Sequence, residues 1–294
     1  MQAFRKTGSQ PGADLVADTS WPEAGAGEVV ISVAAAGICG SDLHAYAWTS
    51  SYAFMAEHLP VTLGHEFAGT VVGVGDGVAH PRLGDRVTVW PTVGCGACAR
   101  CRAGAAHACG RRRTIGLHRD GGFAERVRVP AANCVLVPDG MDLEMAALTE
   151  PLCVAADAVD VAGITPGEPA VVLGPGPIGL GLAWFARAAG ADPVIVAGMS
   201  DDVRLACAGR MRFQHVIDLA ETDLGSAVER ICGDVGCVFE ATGAPQSVHD
   251  GLSVLRPGGR VVVTGIHGQP LTLDLTRLVR GRHNILTSHD TRFA

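Results

Sequence analysis

Four closely spaced cysteines constrain the fold of this chain more than any other feature. They lie at positions 95, 98, 101 and 109, within the run GCGACARCRAGAAHACG, so their spacing is Cys-x2-Cys-x2-Cys-x7-Cys. This spacing can surround one tetrahedral Zn2+ with four thiolates, and the binding energy of the metal then contributes to folding. The alternative is a pair of disulfides, which the short gaps and the lack of any sign of secretion disfavour. We expect a structural zinc lobe at residues 94–110, with Cys95, Cys98, Cys101 and Cys109 as ligands.

Composition indicates a globular protein with two domains. The chain has 294 residues, of which 48% are hydrophobic and 18% charged, enough apolar material for two cores. Its net charge is -7 and its basic residues are scattered except at 111–113, which argues against nucleic acid or an anionic membrane as a partner. The uncharged stretch at 169–186 approaches the length of a membrane span, but its prolines and glycines favour a strand, a tight loop and a helix. The N-terminus has no apolar signal region, so we expect a cytoplasmic location.

The pattern of β-prone runs differs between the two halves of the chain. In the first half, short runs are separated by Gly and Pro, which is typical of an antiparallel, barrel-like domain. These runs are 29–33, 69–74, 86–89 and 126–129. In the second half, short apolar runs alternate with helical stretches, which predicts a six-stranded, parallel, doubly wound sheet. These runs are 170–173, 194–197, 215–217, 237–240, 260–264 and 284–287. We therefore expect one domain at 1–152 and a second at 153–294.

A glycine-rich turn follows the first predicted strand of the second half. Leu173 precedes GPGPIG, which completes a G-x-G-x-x-G motif between a strand and a helix. The glycines permit a tight turn and the close approach of a pyrophosphate, and the helix N-terminus offers free N–H groups to an anion. Pro177 fits an early helical position, where no amide donor is needed. The alternative is a glycine-rich turn without a ligand. We predict a dinucleotide site, and its expected residues include Gly174, Gly176, Pro177, Ile178, Gly179, Thr242 and Gly265.

The end of the next predicted strand bears on which dinucleotide binds. NAD-binding folds usually place Asp or Glu there to hold the ribose 2′-hydroxyl. This chain reads VIVAGMSDDVR, so positions 197–199 carry no acid, while Ser200 and Arg204 lie just beyond, where a 2′-phosphate could be received. We therefore expect NADP(H) in preference to NAD(H), with Gly198, Ser200 and Arg204 as cofactor-binding residues. The alternative is that Asp201 fills the missing role, if the loop is one or two residues longer than assumed.

A second set of metal-ligating residue types flanks the cysteine lobe. Cys39 and His65 supply a thiolate and an imidazole, and Glu66 or Glu150 supplies a carboxylate. Catalytic zinc needs about three protein ligands of these kinds and one open position. Each residue alone has an ordinary explanation in a core, a loop or a surface, but here they occur with a zinc lobe and a dinucleotide loop. We expect a catalytic zinc at Cys39, His65 and one glutamate, with the other glutamate holding the metal-bound water or exchanging with it.

Six motifs spread over nearly the whole chain can be compared with known families. They are GICGSDLH at 37–44, GHEFAGTVVGVG at 64–75, the four cysteines, GGFAERVRVP at 121–130, EPL at 150–152 and VLGPGPIGL at 172–180. Together they resemble the medium-chain zinc-dependent alcohol dehydrogenases, nearest to the polyol (sorbitol) and threonine dehydrogenase branch. The resemblance implies a GroES-like catalytic domain with an antiparallel, barrel-like sheet, followed by a Rossmann domain.

The resemblance also implies a reaction and roles for individual residues. A zinc enzyme of this kind interconverts a secondary alcohol, such as a polyol, a sugar or an amino alcohol, and its ketone by hydride transfer with NAD(P)(H). Glu150 would lie next to the catalytic metal. Ser41 and His44 would form a proton relay, and the Asp42 carboxylate would orient a zinc-ligating imidazole. The implied ligands of the catalytic zinc are Cys39, His65 and Glu66.

The resemblance ends at the last residues of the sequence. Relatives of this type continue beyond the sixth strand and return to the catalytic domain, whereas here SHDTRFA follows Thr287. A fragment, a frameshifted product and a shortened protein are three explanations. We expect an uncovered apolar surface, reduced stability and a homo-oligomer, a dimer or tetramer, that pairs through the edge strand at 284–287. The second hypothesis for function is a catalytically silent zinc- and nucleotide-binding protein of the same fold.

Overall fold

The computed structural model describes residues 1–290. Within them the chain divides into two compact units, Met1–Pro151 together with Asp290, and Leu152–His289. The expectation about the SHDTRFA tail falls largely on the last four residues, which lie outside the described part of the chain.

The first unit consists of short strands and short helices. Its strands are β1 (Ala3–Lys6), β2 (Asp14–Val16), β3 (Glu28–Gly37), β4 (Val61–Thr62), β5 (Glu66–Val74), β6 (Arg86–Val89), β7 (Thr92–Val93), β8 (Arg113–Thr114), β9 (Arg126–Pro130) and β10 (Cys134–Leu136). Its α-helices are α1 (Gly40–Ala47), α2 (Ala99–Arg102) and α3 (Leu143–Ala147), and 3-10 turns lie at Ser50–His58, Ala106–Ala108 and Ala131–Asn133.

A five-stranded antiparallel sheet in the order β10-β6-β5-β3-β9 forms the centre of this unit. Because side chains alternate across a strand, one face buries a continuous apolar layer that includes Ile31 and Phe67. All four predicted strands are present, but β3 and β5 are longer than predicted. Their extra residues pair with each other, Ala36 with Phe67 and Gly37 with Glu66. This pairing fixes the position of Glu66 at the start of β5.

The second unit alternates strands and helices. Its strands are β11 (Ala170–Leu173), β12 (Val194–Gly198), β13 (His215–Asp218), β14 (Val235–Glu240), β15 (Leu255–Val263) and β16 (Asn284–Thr287). Its helices are α4 (Thr149–Ala162), in which the boundary between the units falls, α5 (Pro177–Ala188), α6 (Asp202–Arg210), α7 (Leu224–Ile231), α8 (Pro245–Ser253) and α9 (Leu275–Gly281).

The six strands form one parallel sheet in the order β13-β12-β11-β14-β15-β16. Strands β11 and β14 are buried along their whole length, as expected for a sheet covered on both faces. The order of the strands reverses at β11, since β12 and β13 lie on one side of it and β14, β15 and β16 lie on the other. Ligands of such sheets bind beyond the carboxyl ends of the strands at this point. The predicted fold class is confirmed.

Among residues 1–290, no helix is both long enough and apolar enough to cross a membrane. The uncharged stretch at 169–186 instead contains β11, the glycine-rich turn and most of α5.

Candidate metal centres and cofactor site

The four cysteines of the lobe converge on one point. Their sulfur atoms all lie within 4.8 Å of one another, and three of the pairs are separated by 3.5, 3.8 and 3.9 Å. Thiolates bound to one zinc at about 2.3 Å would lie about 3.8 Å apart, whereas a disulfide bond is about 2.05 Å long. The spacing and the donor set therefore fit zinc better than the disulfide alternative.

Hydrogen bonds to sulfur favour the charged form of Cys95 and Cys98, whereas burial is the main reason why the pKa of Cys101 rises to about 11. The backbone N–H groups of Ala97 and Cys98 lower the pKa of the Cys95 thiol to about 6. The Arg111 backbone N–H donates to Cys109 Sγ at 3.3 Å, and the Arg111 guanidinium donates to Cys95 Sγ at 3.4 Å. These donors stabilise the thiolate, which is the form that binds a metal.

Cys39, His65 and Glu66 form a second group whose ligand atoms lie within 4.8 Å of one another. Cys39 directly precedes α1, His65 directly precedes β5, and Glu66 is the first residue of that strand. His65 and Glu66 are 5% and 6% exposed. Glu150, in the first turn of α4, does not belong to this group. The geometry therefore places Glu66, rather than Glu150, with Cys39 and His65.

Asp42 connects the two chain segments that carry this group. Its Oδ2 accepts a hydrogen bond from the Cys39 backbone N–H at 2.9 Å, and its Oδ1 accepts one from the Gly64 N–H at 3.2 Å. The same Oδ1 lies 3.7 Å from His65 Nδ1, which is an ion-pair distance but is too long for a hydrogen bond. Asp42 therefore positions the group mainly through the backbone beside Cys39 and His65.

The electrostatics of this group favour a bound cation. Burial raises the pKa values of Asp42, Glu66 and Glu150, and that of Glu150 reaches about 7. Burial lowers the pKa of His65, but its contact with Cys39 and the nearby acids outweigh this effect and raise it to about 10. Acidic groups gathered in a desolvated place are normally paired or coordinate a metal. The residues therefore fit zinc by donor type, spacing and charge.

Two residues of the expected proton relay make separate contacts. Ser41 Oγ lies 3.3 Å from His65 Nε2, whereas His44 Nδ1 lies 3.2 Å from Thr49 Oγ1. The His44 ring also stacks on Tyr52, with centroids 5.4 Å apart and planes 4° from parallel. Tyr52 is buried, and burial is the main reason why its pKa rises to about 12. The phenol therefore stays protonated at neutral pH.

The glycine-rich turn has the conformation that its motif requires. Gly174 has a φ of 100°, Gly176 is the residue before α5, and Pro177 is in the first turn of that helix. A Cβ on Gly179 would overlap the carbonyl oxygen of Gly174, so only glycine permits this close packing. Ile178, by contrast, packs against the apolar core. The predicted position of the turn, between a strand and a helix, is confirmed.

Thr242 lies close to this turn, and Gly265 lies close to Glu240, at the carboxyl end of the sheet. They follow β14 and β15, respectively. A Cβ on Gly174 would lie 2.9 Å from Thr242 Cγ2, and a Cβ on Gly265 would lie 2.8 Å from Glu240 Oε2. The structure therefore brings both residues to the edge at which the dinucleotide is expected.

The sequence analysis missed Glu240, the last residue of β14. Its side chain is fully buried and accepts hydrogen bonds from the backbone N–H groups of Thr242 and Gly243 at 2.7 and 2.9 Å. Its other oxygen lies 2.9 Å from His267 Nε2. Glu240 thus holds together the loops that follow β14 and β15. A charged residue at the end of an apolar strand was the available signal.

The predicted ribose end of the cofactor site lies between β12 and α6. Gly198 is the last residue of β12, and Ser200 has a φ of 52° while its N–H donates to Asp218 at 2.9 Å. Asp201 caps α6 by accepting from the Arg204 N–H at 3.3 Å, and it also pairs with Arg204 Nη1 at 2.9 Å. The carboxylate of Asp201 is therefore already engaged by Arg204.

Comparisons with known proteins bear on both units. Residues 25–139 match the family described as the alcohol dehydrogenase GroES-like domain, and residues 177–291 match the family of zinc-binding dehydrogenases. L-threonine 3-dehydrogenase of Pyrococcus horikoshii is 39% identical over 281 residues, which cover 95% of this chain and 80% of that protein.

Two solved structures extend these comparisons, each with a TM-score of 0.87. One is an alcohol dehydrogenase of Escherichia coli CFT073 in complex with NADH. It is 29% identical in sequence, and the match covers 99% of this chain and 84% of that chain. The other is a putative zinc-binding dehydrogenase of Sinorhizobium meliloti 1021 bound to NADP, 31% identical, with coverages of 99% and 85%. The matches confirm the predicted family and do not favour the catalytically silent alternative. The chain belongs to the medium-chain, zinc-dependent alcohol dehydrogenases and is an NAD(P)-dependent oxidoreductase that interconverts an alcohol and its carbonyl compound.

Proposed function

We propose that Cys39, His65 and Glu66 hold a catalytic zinc at which this enzyme interconverts a secondary alcohol and its ketone. The observation that carries the proposal is that sulfur, imidazole and carboxylate ligand atoms lie within 4.8 Å of one another, and that His65 and Glu66 are buried. Three protein ligands leave the fourth position of tetrahedral zinc open, as in catalytic sites. Glu150 lies outside the group, which supports Glu66 as the third ligand.

The neighbouring residues of the chain complete the proposed mechanism. When bound, zinc would supply Lewis acidity toward a substrate hydroxyl, and NAD(P)+ would supply a hydride acceptor. Asp42 holds the backbone of both ligand segments in place. The Ser41 hydroxyl, 3.3 Å from His65 Nε2, lies where it can receive the substrate proton. His44 is half-buried and contacts Thr49 rather than Ser41, so it would act as the second member of the relay only through an intervening group.

The substrate class is a small polar secondary alcohol, namely a polyol, a sugar or an amino alcohol. L-threonine carries its oxidisable hydroxyl at carbon 3, which is a secondary carbon, and the curated relative named above acts on it. We assign the chemistry to the first unit and dinucleotide binding to the second. A second, structural zinc at Cys95, Cys98, Cys101 and Cys109 would stabilise the lobe without taking part in the reaction.

The cofactor is NADP(H) in preference to NAD(H). The end of β12 carries glycine where NAD-binding folds carry an acid, and Ser200 and Arg204 lie just beyond it. Asp201 is a poor substitute for the missing acid, because it already caps α6 and pairs with Arg204. In the described part of the chain, Arg204 pairs with Asp201 through Nη1 alone. Its Nε and Nη2 groups therefore remain for a phosphate.

We also infer a homo-oligomer that pairs through β16. This strand bonds to β15 on one side and ends the sheet among the described residues, so its other edge offers unpaired backbone groups. Sedimentation velocity would return a monomer if the inference is wrong.

Metal analysis combined with two matched substitutions tests the proposed function. The purified protein should contain about two zinc ions per chain and oxidise polyols or amino alcohols. Cys39→Ser should retain the structural ion and lose turnover, whereas Cys98→Ser should mainly lower the melting temperature, because it leaves an incomplete ligand shell. Full turnover by Cys39→Ser, or the same loss of stability in both variants, would contradict the division into catalytic and structural sites.

A further inference from the structure

The glycine at the end of β12 is required by space rather than by backbone conformation. Gly198 lies in a regular strand, a conformation that any residue can adopt. A Cβ at this position would lie 2.7 Å from Cγ and 2.9 Å from Cδ of Pro175, and 3.1 Å from Cδ2 of Leu205. Carbon atoms in contact are normally 3.5 to 4.0 Å apart, so any side chain at 198 would overlap the Pro175 ring.

Pro175 has little freedom to move away. It is buried and forms part of the glycine-rich turn, between Gly174 with its φ of 100° and Gly176 at the start of α5. The proline ring fixes its own φ. A Cβ on Gly174 would already lie within 2.9 Å of Thr242, so the turn is packed on that side as well. The overlap with a side chain at 198 therefore involves a rigid ring rather than the end of a flexible chain.

Position 198 is also the position whose residue type is expected to distinguish NAD from NADP. An acid at the end of the second strand of a Rossmann domain holds the ribose 2′-hydroxyl of NAD. In this chain the Pro175 ring fills the space next to Gly198, through which such an acid would have to extend. The next residue, Met199, is 67% exposed and bears no polar group. The first polar side chains beyond it belong to Ser200 and Asp201.

We propose that Pro175 determines cofactor specificity by excluding any side chain at position 198 and thereby keeping the ribose end of the site free of a carboxylate. The consequence for the cofactor rests on the proposed preference for NADP(H). The steric part of the inference, that the residues at 175 and 198 are coupled, does not. A change at position 198 alone therefore fails to create an NAD site, and a change at both positions creates one.

Four proteins test this coupling: the wild type, Gly198→Asp, Pro175→Ala and the double variant. Melting temperature and dissociation constants for NAD+ and NADP+ are measured on each. Gly198→Asp alone should lower the melting temperature by roughly 3 to 10 °C, as overpacking does, and should not gain affinity for NAD+. In the double variant, most of this loss should be recovered, and NAD+ should bind at least about tenfold more tightly than to Gly198→Asp.

Three further variants keep the test decisive. Gly209→Asp adds the same charge on α6, where a Cβ would meet nothing within 4 Å, so its melting temperature and both dissociation constants should stay near the wild-type values. If Gly198→Asp does not fold, Gly198→Ala with and without Pro175→Ala measures the same coupling by melting temperature. Additive effects on stability, or NAD+ binding gained by Gly198→Asp alone, would overturn the role of Pro175. A wild type that binds NAD+ more tightly than NADP+ would overturn the cofactor preference, while the stability coupling would still decide the steric inference.

Discussion

At the scale of single residues, the candidate zinc site depends on a carboxylate that is not itself a proposed ligand. Asp42 is 3% exposed and receives N–H groups from the backbone of both ligand segments. A carboxylate accepts both bonds without reorientation, whereas an amide has only one acceptor oxygen. The precision of the Cys39, His65 and Glu66 geometry should therefore depend on Asp42.

Asp42→Asn should weaken zinc binding at this site by about 10- to 100-fold, which is typical for loss of a residue that supports metal ligands. Zinc content after dialysis against a graded series of chelator concentrations measures this loss. About one ion per chain should leave early, while the ion of the cysteine lobe stays. Asp139→Asn, at an exposed position of the same unit, is the matched control. Equal retention of both ions in Asp42→Asn and the control would show that Asp42 does not support the site.

The residues of both metal groups could be predicted from the sequence, but their contacts could not. The spacing of Cys95, Cys98 and Cys101 is short enough to imply one centre. The proposed choice of Glu66 over Glu150 rests on the backbone pairing of β3 with β5, because both glutamates satisfy the same donor chemistry. The overlap between Pro175 and position 198 arises where two loops of the sheet meet, which sequence spacing does not reveal.

At the scale of elements, a buried charge network joins the start of the parallel sheet to its later strands. Glu168, just before β11, is 4% exposed and pairs with Arg256 at 2.8 Å and Arg260 at 2.7 Å. Arg260 also donates to the carbonyl oxygens of Gly163 at 3.1 Å and Gly236 at 3.2 Å. The network thus connects β11 with β15 and the loop after α4.

Glu168→Gln should lower the free energy of unfolding by about 1 to 3 kcal/mol at pH 7, because it removes the charge that pairs with two arginines, of which Arg260 is mostly buried and Arg256 is partly exposed. Burial raises the pKa of Glu168, but the hydrogen bond from Arg260 and further contacts outweigh this and hold it below its usual value. The wild type should therefore keep this stabilisation above the unfolded-state pKa of about 4.3, and lose it as the pH falls through the lower folded-state value.

Denaturant titrations between pH 7 and pH 3 on wild type and Glu168→Gln measure this effect. The difference between the two proteins should shrink as the solution is acidified. Glu229→Gln, on the exposed side of α7, is the control and should follow the wild type throughout. A difference that stays constant with pH would assign the loss to packing rather than to the charge of Glu168.

Four of the six predicted strands of the second unit begin at the residue where the structure has them, and all six end within one residue of the observed end. Strand β14 begins at Val235 and β15 at Leu255, earlier than predicted, because these two residues pair before a register shift. Glycine near the start of β14, and the proline and glycines of LRPGG at the start of β15, have low strand propensity. Propensity alone therefore does not predict this pairing. Strands β1 and β2 were not predicted, since each is short and gains its stability from pairing with a neighbour.

At the scale of the whole molecule, the two compact units contain different ligand sites. Both proposed zinc sites use residues of Met1–Pro151, and the glycine-rich turn and the ribose end of the cofactor site lie in Leu152–His289. Each unit has its own apolar core. Units of this size with separate cores can unfold as separate cooperative transitions.

Calorimetric unfolding should therefore respond selectively to two ligands. Removal of zinc should lower the transition of the first unit, because the lobe loses the energy that metal binding contributes to its folding. Adenosine 2′,5′-bisphosphate, which carries the ribose end of NADP without the nicotinamide, should raise the transition of the second unit. At 100 times its dissociation constant, the shift should be roughly 5 to 10 °C, since a ligand at that concentration stabilises by about 2.7 kcal/mol. Adenosine 5′-monophosphate, which lacks the 2′-phosphate, is the matched control and should give a smaller shift at the same concentration. If a single transition responds both to zinc removal and to the bisphosphate, the two units unfold together. If the two nucleotides give equal shifts, the ribose end of the site does not recognise the 2′-phosphate.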